Sequence, residues 1–403
     1  MTMTQFENTR VSNISLSPSM VVSMAAQSMR ARGEEVVDLS LGEPDFATPE
    51  HIVEAASRAM RDGETRYTGP AGSPALRAAV VAKFERENGL RYQADEIAVG
   101  NGAKQIIFNA MAATLEPGDE VVVPAPYWVS YTDIVTLQGG VPKVVPTRPE
   151  DGFVLSAKQL EEAITDRTRW LFLNSPSNPS GAVYSRQDYQ ALGEVLERHP
   201  RVLVLSDEVY EHICFERASW LSFVTACPQL RERTLLVNAV SKAYAMTGWR
   251  LGYAAGPREL IAALNKMQSQ ASTCPSSISQ AAAVAALNGP QTFVEWANER
   301  YSSRGEALVS GLEAIKGLRV VAPAGAFYVF PECSAFIGKR MPDGKALATD
   351  ADLAAYLLES AGVACVPGAA FGLEPYLRFS FAASRSAIEN AVDRLGTAFA
   401  ALR

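Results

Sequence analysis

The stretch Ser241-Lys242-Ala243-Tyr244-Ala245-Met246-Thr247-Gly248-Trp249-Arg250 sets two cations at the mouths of two apolar runs. Lys242 follows Leu235-Leu236-Val237-Asn238-Ala239-Val240, and Arg250 opens Leu251-Gly252-Tyr253-Ala254-Ala255-Gly256. Charges at the ends of core strands lose hydration and need partners. An anion from outside the chain meets that need, and a lysine amine held beside it is a nucleophile toward a carbonyl.

Ligands of α/β sheets collect at the carboxyl ends of strands, so the polar residues that close the other apolar runs belong with this pair. Gly102 and Ala103 at a helix start offer amides to a phosphate. Ser241 adds a hydroxyl, and Arg250 can grip two phosphate oxygens at once. Trp128 presents a plane for stacking. Asp207 can hold a protonated ring nitrogen, while Tyr210 and Asn178 can donate to a phenolic oxygen. The ligand this set describes is flat, anionic and heteroaromatic; with Lys242 as the amine that forms a Schiff base, it points to pyridoxal phosphate.

The elements that must position these residues are legible from about residue 95 to 255. Short apolar runs alternate with helical patterns there, which predicts a largely parallel sheet covered by helices on both faces. Residues 258–288 and 290–316 read as two long helices, and Ser17-Pro18-Ser19 as a helix start. Beyond residue 316 the pattern changes to that of a smaller α+β unit. At 403 residues the chain exceeds what one core usually organises. The expected division is 46–299 for a large cofactor-binding domain, with 1–45 and 300–403 forming the small one.

The bulk numbers exclude several classes. A net charge of −7 leaves no basic stripe for nucleic acid, and no apolar run is long enough for a membrane span. The five cysteines form no C-x-x-C pair, which suits reduced thiols. No signal-peptide core opens the sequence, so the cytoplasm is expected. His51, His199 and His212 lack metal-ligand spacing and read as surface or structural residues; no metal is expected. Tyr127 and Tyr131, at near-helical spacing with Trp128, read on their own as core packing.

Nine motifs, in order, carry a resemblance: LGEPDF (41–46), RYTGPAGSPALR (66–77), GNGAKQ (100–105), PAPYWVSY (124–131), NSPSNPSGAVY (174–184), SDEVYEH (206–212), SKAYAMTGWRLGYAAGP (241–257), GAFYVF (325–330) and YLRFSFA (376–382). Over nearly its whole length the chain resembles class I aminotransferases of the pyridoxal-phosphate fold-type I superfamily, within them the subgroup Ib bacterial aspartate aminotransferases. Three places differ from the family's pattern: its Gly-Gly-Lys is Gly102-Ala103-Lys104 here, its N-terminal Pro-Ser-Ala-Thr, near the substrate side chain in the family, is Leu16-Ser17-Pro18-Ser19, and its tyrosine after Arg378 is Phe381.

The resemblance implies a role for each matching residue. Lys242 carries the cofactor and moves the proton, Asp207 pairs with the pyridinium nitrogen, and Tyr210 and Asn178 meet the ring oxygen. Trp128 stacks on the ring. Gly102, Ala103, Ser241 and Arg250 hold the phosphate, with Lys104 close by and Tyr67 reaching it from the neighbouring subunit of a homodimer. Arg378 clamps the substrate α-carboxylate, assisted by Asn178, Trp128 and the backbone of Gly42, and Lys104 recognises a side-chain carboxylate. The activity implied moves the amino group of L-aspartate to 2-oxoglutarate by a ping-pong cycle. An aromatic or prephenate-type aminotransferase is the alternative within the class, and a pyridoxal-phosphate lyase shares the same cradle.

Overall fold

The computed structural model describes residues 6–215 and 220–403. Among these, twelve strands follow in chain order: β1 (Val37–Asp38), β2 (Ile97–Gly100), β3 (Glu120–Ala125), β4 (Val141–Pro146), β5 (Thr168–Asn174), β6 (Leu203–Asp207), β7 (Thr234–Ala239), β8 (Gly252–Ala255), β9 (Tyr328–Val329), β10 (Val363–Ala364), β11 (Val366–Pro367) and β12 (Leu377–Ser380).

Seven of them form one sheet in the order β2-β8-β7-β6-β5-β3-β4. The five strands from β4 to β7 run parallel, whereas β8 is antiparallel to both its neighbours. The sequence explains the layout. Central strands such as β7, buried at all six positions, are continuous apolar runs because helices cover both faces. β4 has an exposed face and carries Pro142 and Pro146, which lack the amide a central strand must donate. It lies at the edge.

The C-terminal part builds the small sheet β11-β12-β9, and β1 pairs with β10. Its core, with Leu308, Phe327, Phe379 and Leu395, also takes in Val209 and Tyr210 from the turn after β6. The small sheet therefore packs against the carboxyl end of the large one, where ligands of such sheets bind. The expected α/β class with a mostly parallel sheet is what the chain adopts. The helix pattern over 258–288 divides into two helices, Arg258–Ala271 and Ser277–Asn288. Thr273 takes φ 63° and Pro275 has no amide to give, so the backbone cannot continue through the gap. The next helix is Thr292–Glu313, and position 299 falls inside it. Ser17 does precede a helix, Pro18–Ala31. No helix among the described residues is long and apolar enough to cross a membrane.

A buried ion pair ties the turn after β6 to the helix Pro74–Lys83. The Lys83 ammonium, fully buried, donates to Asn88 Oδ1 at 2.8 Å and to Glu211 Oε1. Glu211 also accepts from Asn238 at 2.8 Å and Asn88 at 2.9 Å. Burial alone would raise the Glu211 carboxyl, yet Lys83 and His212 outweigh it and hold the group below its usual value. Removing one partner of such a pair strands the other charge in low dielectric. Lys83→Met is expected to lower unfolding stability by about 3–5 kcal/mol, read as a fall in the urea midpoint. A loss below about 1 kcal/mol would mean that this pair contributes no more than a surface one.

Candidate active site

A cavity of about 260 Å³ opens at the carboxyl ends of the central strands, lined by Asn174, Asp207 and Ala239 from the ends of β5, β6 and β7. That volume falls just below the roughly 300–1,000 Å³ of small-molecule pockets. It suits one compact ligand.

Lys242 enters from the short helix Val240–Ala243 that follows β7. Its ammonium donates to the carbonyl of Gly42. Burial, with Arg250 and Arg378 nearby, lowers its pKa to about 8, although Glu43 and Asp207 pull the other way. Asp207 ends β6 and accepts from Tyr131 Oη at 2.7 Å and the Val209 amide at 3.3 Å. Burial lifts its carboxyl to about 6, against those hydrogen bonds and Lys242. Each group is thus driven toward neutrality by lost solvent.

The same cavity collects further cations. Gly102 takes φ 84°, outside the range most residues tolerate, and a Cβ there would lie 2.5 Å from Arg250 Nη2. The helix Ala103–Thr114 begins at this point, and its first amides have no carbonyl four residues back. Arg250 donates to the carbonyls of Thr247 at 2.8 Å and Asn101 at 3.3 Å. Lys104 lies 4.8 Å from the Trp128 ring; burial and Arg250 lower its pKa, with Asp133 opposing. Helix amides, a guanidinium and the buried Ser241 hydroxyl around a glycine cradle are the donor set of a phosphate site.

Arg378 on β12 is almost completely buried. It donates to Asn178 Oδ1 at 3.0 Å and to the Ser40 carbonyl, while its Nε has no partner. The rings of Tyr328 and Phe371 lie 4.5 and 4.9 Å from the guanidinium carbon. A buried cation with a donor left over and, among the described residues, no salt bridge to a carboxylate is arranged for an incoming anion.

The fold brings Gly42, Ala103, Lys104, Trp128, Asn178, Asp207, Tyr210, Ser241, Lys242, Arg250 and Arg378 to this one cavity. Gly102 stands just behind Ala103. Tyr67 lies apart from the lining and is 86% exposed. Trp128 meets Tyr131 edge-on at 5.4 Å. Sequence reasoning missed Tyr131, which is no mere packing residue since it holds Asp207, and Tyr328, whose hydroxyl is 2.8 Å from that of Tyr210. Ser17 and Ser19 also reach the lining. Elsewhere, His212 bonds Glu87 at 2.8 Å beside Glu211, with the Lys83 ammonium among these carboxylates. His199 bonds Glu161 on the surface, and the ring Nε2 of His51 is buried without a partner.

The Lys242 environment sets a pH dependence. Burial penalises its ammonium, so the reactive amine is released roughly two pH units below an ordinary lysine near 10.4. Competitive acetylation of the cofactor-free protein is expected to give Lys242 a reactivity midpoint near pH 8. A midpoint above pH 10 would contradict the desolvated setting.

Comparison with known proteins gives these features a context. The family model for aminotransferase class I and II matches residues 34–395. An aspartate aminotransferase of Rhizobium meliloti (strain 1021) is 54% identical over 96% of this chain and 95% of its own. An aspartate/prephenate aminotransferase of Cereibacter sphaeroides is 48% identical over 97% of this chain and 98% of its own. The crystal structure of an aspartate aminotransferase from Rhizobium meliloti superposes with a TM-score of 0.95 at 52% identity, covering 98% of this chain and 99% of that one. The cavity with Lys242, Asp207 and Arg378 thus lies in a chain that belongs to the class I and II aminotransferases.

Proposed function

We propose that the chain is a pyridoxal-phosphate-dependent aspartate aminotransferase that moves the amino group of L-aspartate to 2-oxoglutarate, releasing oxaloacetate and L-glutamate. The observation that carries this reading is the convergence of Lys242, Asp207 and the buried Arg378 on one cavity. When bound, pyridoxal phosphate supplies an aldehyde that condenses with amines and a ring that accepts the electron pair left by the broken Cα–H bond.

The chain's residues do the rest. Gly102, Ala103, Ser241 and Arg250 hold the phosphate, with Lys104 at its edge, and Trp128 covers the ring face. Asp207, with Tyr131 donating to it, keeps the ring nitrogen protonated; that cation returns the carboxyl from its raised pKa of about 6 to the ionised state. Tyr210 and Asn178 meet the ring oxygen. Arg378 receives the substrate α-carboxylate, with Asn178, Trp128 and Gly42 bounding its place. With the cofactor bound, Lys242 would be the amine that carries it and, once free, the group that moves the proton from the substrate Cα to the cofactor C4′. An amine with a pKa near 8 can serve as base and then acid near neutrality.

Three finer parts belong to this reading. The enzyme acts as a homodimer, with the exposed Tyr67 reaching the phosphate of the neighbouring site. It divides into a large domain over 46–299 and a small one from 1–45 and 300–403. It works in the cytoplasm, in keeping with five free cysteines. A second reading, aspartate/prephenate aminotransferase, is supported by the Cereibacter sphaeroides relative.

Steady-state assays test the substrate. Aspartate with 2-oxoglutarate is expected to give a kcat/KM well above that with phenylalanine. Lys104→Ala should cut kcat/KM for aspartate by roughly 10- to 100-fold, the worth of a charge-assisted hydrogen bond, and leave phenylalanine nearly unchanged. Equal losses for both donors would remove Lys104 from side-chain recognition. Prephenate turnover matching that of 2-oxoglutarate would favour the second reading.

A further inference from the structure

Tyr328 sits on β9, in the run Gly325-Ala326-Phe327-Tyr328-Val329-Phe330, and is completely buried. Its hydroxyl lies 2.8 Å from the hydroxyl of Tyr210. Its ring lies 4.5 Å from the guanidinium carbon of Arg378. Gly42 closes the third side: a Cβ there would stand 2.6 Å from Tyr328 Oη, and Tyr328 Cζ at 3.7 Å is the only other atom it would meet within 4 Å. Space for this one hydroxyl is what position 42 preserves.

We propose that Tyr328 is a positioning residue whose hydroxyl donates to Tyr210 and so turns the Tyr210 proton toward the ring oxygen of the cofactor. The inference rests on the reading above that Tyr210 meets that oxygen.

Each phenol has one proton and can also accept, so within the pair only one hydroxyl donates to the other. Tyr210 meets the ring oxygen through its one proton, so within the pair Tyr328 gives and Tyr210 accepts. Burial raises both phenols, and Arg378 counteracts that rise in each. Tyr210, once it accepts from Tyr328, keeps its own proton for a third atom, and hydrogen bonds in a chain polarise and strengthen one another.

The test is a pH titration of the visible absorbance of the holoenzyme. Deprotonating the bound chromophore leaves its ring oxygen with uncompensated negative charge. A hydroxyl donor stabilises that form and lowers the midpoint; a weakened donor raises it. Tyr328→Phe keeps the ring and its packing. It is expected to raise the midpoint by roughly half to one pH unit, in the same direction as Tyr210→Phe and by less. Gly42→Ala, which pushes against the hydroxyl, should also raise it, and should add almost nothing in the Tyr328→Phe background because its obstacle is gone.

A midpoint unchanged in Tyr328→Phe while Tyr210→Phe shifts it would overturn the proposal and leave the function intact. Shifts in neither variant would overturn the Tyr210 contact and the proposal with it. Equal Gly42→Ala shifts in both backgrounds would also overturn the proposal, since they would show that Tyr328's hydroxyl is not what glycine accommodates. Wild-type protein without a visible band would instead sink the cofactor reading.

Discussion

The placing of two desolvated groups, the Lys242 amine and the Asp207 carboxyl, on one cavity is the constraint around which the fold is arranged. Each is driven toward neutrality by burial. A ligand carrying an anionic phosphate, a basic ring nitrogen and an aldehyde addresses both, and neither group is well satisfied by protein partners alone. The parallel register of β6 and β7, with Asp207 opposite Val237, puts the carboxyl beside the strand that leads to Lys242. The small helix after β7 then carries the amine back over the strand ends.

The second half of the site comes from the C-terminal unit. β12 delivers Arg378 and β9 delivers Tyr328 into contact with Asn178 and Tyr210 from the carboxyl end of the large sheet, so the proposed substrate anchor and the proposed cofactor cradle share hydrogen-bonded neighbours. Asn178 touches the arginine directly, and Tyr210 reaches it through Tyr328. In the proposed reading, a substrate carboxylate arriving at Arg378 meets a group already packed near two rings and held by two hydrogen bonds. Little side-chain ordering remains to oppose its binding.

Much of this was legible in the sequence, for a physical reason. Polar residues at the ends of apolar runs are costly unless a ligand uses them, so Lys242, Asp207, Asn178 and Arg250 stand out as a set. What escaped were the contacts that depend on tertiary closure. Tyr131 and Asp207 are 76 residues apart, and Tyr210 and Tyr328 are 118 apart. A tyrosine that packs and a tyrosine that holds a buried carboxyl have the same local pattern. Tyr131 did carry one signal, its place three residues after Trp128. Lys83 carried none, because a lysine closing a helix reads as solvated until its carboxylate partner is seen. The break at residues 272–276 was written in Pro275, but apolar periodicity on both sides masked it.

The account stands on the ε-amine of Lys242 as the site of covalent attachment. The direct measurement is reduction of the cofactor-loaded protein with borohydride, followed by peptide mass mapping. The account predicts one stable pyridoxyl adduct per chain, on the peptide containing Lys242, with loss of the visible absorbance. No adduct, or an adduct on a different lysine, would contradict it.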